Sequence, residues 1–169
     1  MAETVYLLLG SNIGDREQNL TYAVEKLGAL EGFEIVATSA IYLTEPVGMN
    51  GVQPAFLNQA IRAEYQYRPL ELLHALERIE AEMGRTDKGK LQPRVIDCDI
   101  LLFGDLKIQE PMLTVPHPRL LERAFALIPL VEIDPHLIHP ETRKPIASYI
   151  KDRAESGVML YKDHVARSI

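Results

Sequence analysis

The sequence predicts an α+β fold, and three observations carry that expectation. Short β-rich apolar runs stand at residues 4–9, 33–42, 56–65 and 95–103, and two stretches between them repeat apolar residues at helical spacing. Turn formers close the runs: Gly10-Ser11-Asn12, Gly32, Gly84 and Gly104-Asp105. The resulting order is strand, helix, strand, strand, helix, strand. A four-stranded antiparallel sheet with both helices on one face satisfies it most simply.

Each element has its own reason. Val5 to Leu9 is apolar at every position, so this strand reads as buried on both faces, with residues 10–14 as the turn after it. Asp15 with Gln18 three residues on forms a capping pattern. Leu20, Ala23, Val24, Leu27 and Leu30 then recur as one helical stripe. Phe33 to Tyr42 has the β-branched and aromatic content of a second strand. Pro46, Gly48, Gly51 and Pro54 stop it and predict a long loop, a kind that more often carries function than idles. Phe56 to Tyr65 returns to alternation as a third strand. Pro69 opens a second helix with Leu72, Leu76, Ile79 and Met83 on one stripe and Gly84 as its stop. Val95 to Phe103 makes the fourth strand, which completes a ferredoxin-like βαββαβ core. Beyond 105 a short hairpin and a helical stretch from Leu120 to Val131 are expected, and the pattern fades from about 140. The 169 residues read as one domain, with a core over about 4–135 and residues 136–169 as a C-terminal extension.

Composition excludes several classes. No apolar run reaches the ~18 residues that cross a bilayer, and Met1-Ala2-Glu3-Thr4 lacks the basic segment of a signal peptide. The expectation is therefore a cytoplasmic protein without a membrane partner. Cys98 is the single cysteine, so neither an internal disulfide nor a cysteine-built zinc site is available. A formal net charge of -6 argues against a nucleic-acid partner, including an RNA-binding module of this sheet topology. Any polyanion must be met by a local cluster. Nothing fixes an oligomeric state, and a monomer is the default.

Four constellations are candidates for chemistry. Asp97 and Asp99, two apart on a strand, point to one face roughly 6.5–7 Å apart at Cα, with Cys98 opposite. By themselves they read equally as a solvated pair or as ligands of a hard cation such as Mg²⁺. Their apolar flanks favour the cation, because burying two like charges is costly without one. Arg85, Lys88, Lys90 and Arg94 crowd a loop that leads into this strand; such a run is usually a solvated face, but here it also suits a polyphosphate. His117, between Pro116 and Pro118, and Arg123 offer further phosphate donors, or else a turn histidine and a surface ion pair. Phe56 and Asn58, one ring and one amide on a strand face, suit a flat heterocycle, although Phe56 also reads as core. His74, His136, His139 and His164 lack ligand spacing. Gly10 to Gly14 lacks the Lys-Ser/Thr of a P-loop.

Read together, six motifs are ordered and spaced as in one family. They are Leu9-Gly10-Ser11-Asn12, Tyr42-x-Thr44-x-Pro46-x-Gly48, Gln53-Pro54-x-Phe56-Leu57-Asn58, Glu80-x-x-x-Gly84-Arg85, Pro93-Arg94-x-x-Asp97-x-Asp99-Ile100-Leu101, and Val115-Pro116-His117-Pro118-Arg119 through Phe125. Over about residues 5–135 the chain resembles the 6-hydroxymethyl-7,8-dihydropterin pyrophosphokinases of folate biosynthesis, which move the β,γ-pyrophosphoryl group of ATP to the pterin hydroxymethyl oxygen and release AMP. The resemblance implies that Asp97 and Asp99 hold two Mg²⁺ ions between ATP and pterin. It implies that Arg85 and Arg94 stabilise the moving group, that His117 and Arg123 meet ATP phosphates, and that Ile100 and Thr114 lie near adenine and ribose. Phe56 and Phe125 are implied to sandwich the pterin, with Asn58, Thr44 and the backbone near Pro46 and Val47 reading its edge. Glu80 falls at an active-centre position without an assigned role, and Glu77 stands where a nucleotide-contacting glutamine is common. Asp87 replaces an arginine frequent in the family, and Leu91-Gln92 replaces an aromatic and a glycine. These changes motivate the alternative of a non-catalytic nucleotide- or pterin-binding module.

Overall fold

A strand that is apolar at every position needs a core on each side. β1 (Glu3–Ser11) has both: Val5, Leu7 and Leu9 enter one apolar cluster, while Tyr6 and Leu8 enter another on the opposite face. The computed structural model that shows this describes residues 2–45, 55–84, 95–152 and 156–163.

Two helices build the first cluster. The Asp15 side chain accepts the Gln18 N–H at 3.1 Å and starts α1 (Arg16–Gly28), which buries Leu20, Ala23, Val24 and Leu27. Pro69 opens α2 (Pro69–Glu82), where Glu71 accepts the Arg68 N–H at 3.1 Å, and Leu72, Leu76 and Ile79 face the same core. These helices connect β2 (Phe33–Thr38), β3 (Ile41–Thr44), β4 (Phe56–Tyr65) and β5 (Asp97–Phe103). β1 pairs antiparallel with β4 and β5, and β2 and β3 both pair with β4. This is the expected βαββαβ arrangement.

Three features depart from the expectation. The strand expected over 33–42 is broken, because Ser39 Oγ accepts the Ala60 N–H at 2.9 Å and the Ala40 N–H turns away from the sheet. Gly10 and Ser11 belong to β1 rather than to a turn, paired with Asn58 and Leu57. The second face of the sheet is covered too. After β6 (Ile108–Gln109), β7 (Thr114–Val115) and a short turn over Leu120–Glu122, α3 (Ala124–Ile133) lays Ala126, Leu127 and Leu130 against Tyr6, Leu8, Leu101 and Leu102. A slip in register between Tyr6 and Leu7 lets both Leu101 and Leu102 join this cluster, while Ile100 and Phe103 join the first.

The C-terminal stretch is also part of the fold. Ile146 is fully buried in the second core, and β8 (Val158–Lys162) adds to the sheet edge by pairing with β3. Among the described residues no helix is long and apolar enough to cross a membrane.

Candidate active site

Pairing carries side chains from strand to strand on a common face. Asp99 is paired with Leu8 and Asp97 with Gly10; Gly10 is paired in turn with Asn58, and Asn58 with Tyr42. Paired residues project to the same side, so Asp97, Gly10, Asn58 and Tyr42 form one row on the face that α3 covers. The next row holds Phe56 paired with Thr44.

Small contacts shape this corner. Asn58 Nδ2 donates to Thr44 Oγ1 at 3.0 Å, both side chains being buried. A Cβ on Gly10 would stand 2.9 Å from Asn58 Oδ1 and 3.5 Å from Phe56 Cδ1, so glycine lets the amide and the ring lie over β1. Arg16 Nη1 donates to the Ala55 carbonyl at 2.8 Å and holds the chain at the entry to β4, one residue before Phe56.

The carboxylate pair is held from below. Cys98 is buried on the α1/α2 side, and its N–H donates to Glu80 Oε2 at 2.7 Å. Glu80 is itself only 3% exposed. Its carboxylate thus anchors the residue between Asp97 and Asp99, and losing such an acceptor leaves a buried amide unpaired at about 1–3 kcal/mol. Asp97 and Asp99, on the other face, are half-buried.

At the start of α3 stands Arg123, its guanidinium 5.4 Å from the centre of the Phe125 ring. Burial holds its pKa below the ordinary arginine value, with Arg119 adding to the lowering and Asp99 and Asp97 opposing it. Arginine stays protonated regardless, so a cation faces the carboxylate pair. The His117 N–H donates to the Leu101 carbonyl of β5 at 2.9 Å, and its Nδ1 accepts the Arg119 N–H at 3.1 Å. That acceptor role leaves the proton of a neutral ring on Nε2.

The donor set suits a hard cation. Mg²⁺ typically takes one or two protein carboxylates and fills its other positions with water and phosphate oxygens. Among the described residues no group of three or more His, Cys, Asp or Glu side chains is assembled to hold a metal ion. Asp97 and Asp99 are the carboxylates of this face that could hold such an ion, with substrate and solvent oxygens as its remaining ligands.

Of the residues singled out in the sequence, Asp97, Asp99, Thr44, Phe56 and Asn58 share this face, with Arg123 capping α3, Phe125 on it and His117 tied to β5. Thr114 lies in β7 beside β5. Ile100 instead is 5% exposed in the α1/α2 core, facing away from the carboxylates, so any nucleotide contact there falls to its backbone. Glu77 is exposed on α2. Arg85, Arg94, Pro46 and Val47, with Asp87, Lys88, Lys90 and Leu91, lie outside the described residues. Sequence reasoning missed Gly10, Arg16 and the contact of Glu80. The signal for Gly10 was its parity with Tyr6 and Leu8, and for Glu80 its place at helical spacing after Leu73 and Leu76.

Fold and site together define a ferredoxin-like α+β unit that carries a polar, ring-walled corner on the sheet face away from its crossover helices. Residues 6–135 match the model of the 7,8-dihydro-6-hydroxymethylpterin-pyrophosphokinase (HPPK) family, and the chain belongs to that family. It is 44% identical over 146 residues to the 2-amino-4-hydroxy-6-hydroxymethyldihydropteridine pyrophosphokinase of Aquifex aeolicus, covering 86% of this chain and 89% of that one. The protein of the same name from Bacillus subtilis is 45% identical over 133 residues, 79% of each chain. Folic acid synthesis protein fol1 of Schizosaccharomyces pombe is 39% identical over 92% of this chain, which spans only 21% of that longer protein. Among solved structures, the wild-type HPPK-DHPS of Plasmodium falciparum superposes with a TM-score of 0.67 at 16% identity, over 88% of this chain and 40% of that one. At that identity the likeness shows the fold.

Proposed function

We propose that the chain transfers the β,γ-pyrophosphoryl group of ATP to the hydroxymethyl oxygen of 6-hydroxymethyl-7,8-dihydropterin in folate biosynthesis. In this reaction the hydroxyl oxygen bonds to the β-phosphorus, the bond from that phosphorus to the α,β-bridging oxygen breaks, AMP leaves, and the hydroxyl proton is lost. The observation that carries the reading is the row Asp97, Gly10, Asn58, which sets a carboxylate pair and a ring-binding wall side by side on one sheet face. Family membership supplies the substrates.

Each residue then has a task. Phe56 and Phe125 stack on the pterin ring, and Asn58 and Thr44 read its polar edge. Asn58 already spends its Nδ2 on Thr44, which fixes its amide before any ligand arrives and lowers the ordering cost of binding. Arg123 sits between the aromatic wall and the carboxylates, where it meets triphosphate oxygens together with His117 Nε2–H. Mg²⁺ held by Asp97 and Asp99 would supply neutralisation of phosphate charge. Arg85 and Arg94 stabilise charge on the moving group, Ile100 and Thr114 border adenine and ribose, and Glu77 contacts the nucleotide. The catalytic core is about residues 4–135, with 136–169 as its extension, in a cytoplasmic protein for which a monomer is the default.

The test is substitution of each aspartate. Asp97→Ala and Asp99→Ala should each lose transfer by at least about a hundredfold while pterin binding and Tm are kept, since a ligand is lost at the centre of the charge. Turnover near the parent value in either variant would overturn the proposal.

A further inference from the structure

The far end of α3 is fastened to the sheet by two acidic side chains. Glu132 accepts the Ala40 N–H with both oxygens, at 3.0 and 3.2 Å, and accepts the Tyr42 hydroxyl at 2.5 Å. Asp134 accepts the Tyr6 hydroxyl at 2.5 Å, with Arg62 Nη1 3.8 Å away. The Ala40 amide is available because the strand breaks there, Ser39 having taken over the pairing with Ala60 through its own N–H and its Oγ. The break thus diverts one backbone donor from the sheet to α3.

What Glu132 grips matters. Tyr42 shares its row with Asn58, and two residues further on β3 reaches Thr44, the partner of the Asn58 amide. The opposite end of α3 presents Arg123 and Phe125. A helix of ten residues is a rod of about 15 Å, and although Pro129 removes one of its internal hydrogen bonds the helix continues to Ile133, so fixing one end against β3 bears on where the other end stands. Ala126, Leu127 and Leu130 already hold α3 to the sheet by apolar burial. That attraction is non-directional and sets the buried face of α3; the hydrogen bonds of Glu132 are directional and sharpen its register on the sheet.

We propose that Glu132 is a positioning residue for the ring pocket: through Ala40 and Tyr42 it sets α3 against β3, and hence the gap between Phe125 and the wall of Phe56, Asn58 and Thr44. The inference rests on the functional reading above, in which a pterin fills that gap. If Glu132 served stability alone, its loss would lower Tm and leave substrate affinities in their original ratio.

The experiment compares Glu132→Ala, Glu132→Gln and Tyr42→Phe with the parent chain. It measures pterin binding by fluorescence without nucleotide, the KM of each substrate, and Tm. In Glu132→Ala the pterin Kd, measured without nucleotide, and the pterin KM should rise at least about fivefold, with a smaller rise in the ATP KM, because Arg123 moves with Phe125 but shares the triphosphate with His117. Glu132→Gln, which keeps an acceptor of the same length, should recover most of the loss. Tyr42→Phe removes one hydroxyl only, should fold regardless, and should move the pterin KM in the same direction. An unchanged pterin affinity in the Glu132 and Tyr42 variants, or an equal rise in both KM values, overturns the inference. A parent chain that binds no pterin overturns the functional reading instead.

Discussion

Gly10 separates two jobs that a larger residue would merge. It keeps β1 paired on both sides, and it leaves the space into which Asn58 and Phe56 settle. A methyl group there would stand 2.9 Å from an oxygen whose amide is already tied to Thr44, so the amide must turn. Gly10→Ala is expected to weaken pterin binding by about tenfold, the loss of one well-placed edge contact, and to leave the ATP KM unchanged. Fluorescence titration with pterin alone checks this. Glu80 acts through the backbone rather than on a ligand. Glu80→Ala should destabilise the fold by about 1–3 kcal/mol in urea unfolding, because the Cys98 amide loses its acceptor in a dry core.

The elements differ in how they are held, and their responses should differ accordingly. α3 depends on apolar burial, with Leu127 at 2% and Leu130 at 0% exposure. Leu130→Ala is expected to cost about 2–5 kcal/mol, as large-to-small changes in closed cores do. The turn that follows α3 depends on a histidine instead. His139 Nδ1 accepts the N–H groups of Glu141 at 3.1 Å and Thr142 at 3.3 Å, and burial pushes its pKa below the ordinary imidazole value, with Glu141 opposing. The unfolded chain takes up this proton near pH ~6.5, whereas the folded chain does so only at lower pH. The contribution of His139 is therefore complete above that value and is lost as pH falls through the window below it. Tm should decline from pH 7 to pH 5 in the parent and decline less in His139→Asn; parallel profiles would contradict this account.

For the whole molecule, local chemistry explains what was legible in the sequence. The βαββαβ order followed from periodicity, and the pairing of Asp97 with Asp99 followed from strand geometry, because both depend on residues close in the chain. The break at Ser39 and Ala40 was hidden, since it depends on Ala60 and Glu132, far off in sequence. α3 is apolar on nearly every side, so its pattern marked a buried helix without saying which sheet face it would cover. β8 buries little of itself and exists through its pairing with β3, a long-range contact with no local signature. Gly10 reads as a turn because glycine is a common turn former; its close approach to Asn58 and Phe56 depends on what lies across from it on β4. Two sides of the sheet thus divide the work: α1 and α2 build the core beneath Cys98, while the other side carries the carboxylates and, under α3, the ring wall. If the carboxylates and the ring wall form one reacting centre, the group transferred is pyrophosphoryl, and its nature tests that union. Mixing the chain with ATP, Mg²⁺ and 6-hydroxymethyl-7,8-dihydropterin and resolving AMP from ADP measures it directly. The expected products are AMP and the pterin diphosphate, formed only when pterin is present and abolished by chelating the metal. ADP as the product, or pterin bound without turnover, would contradict that union.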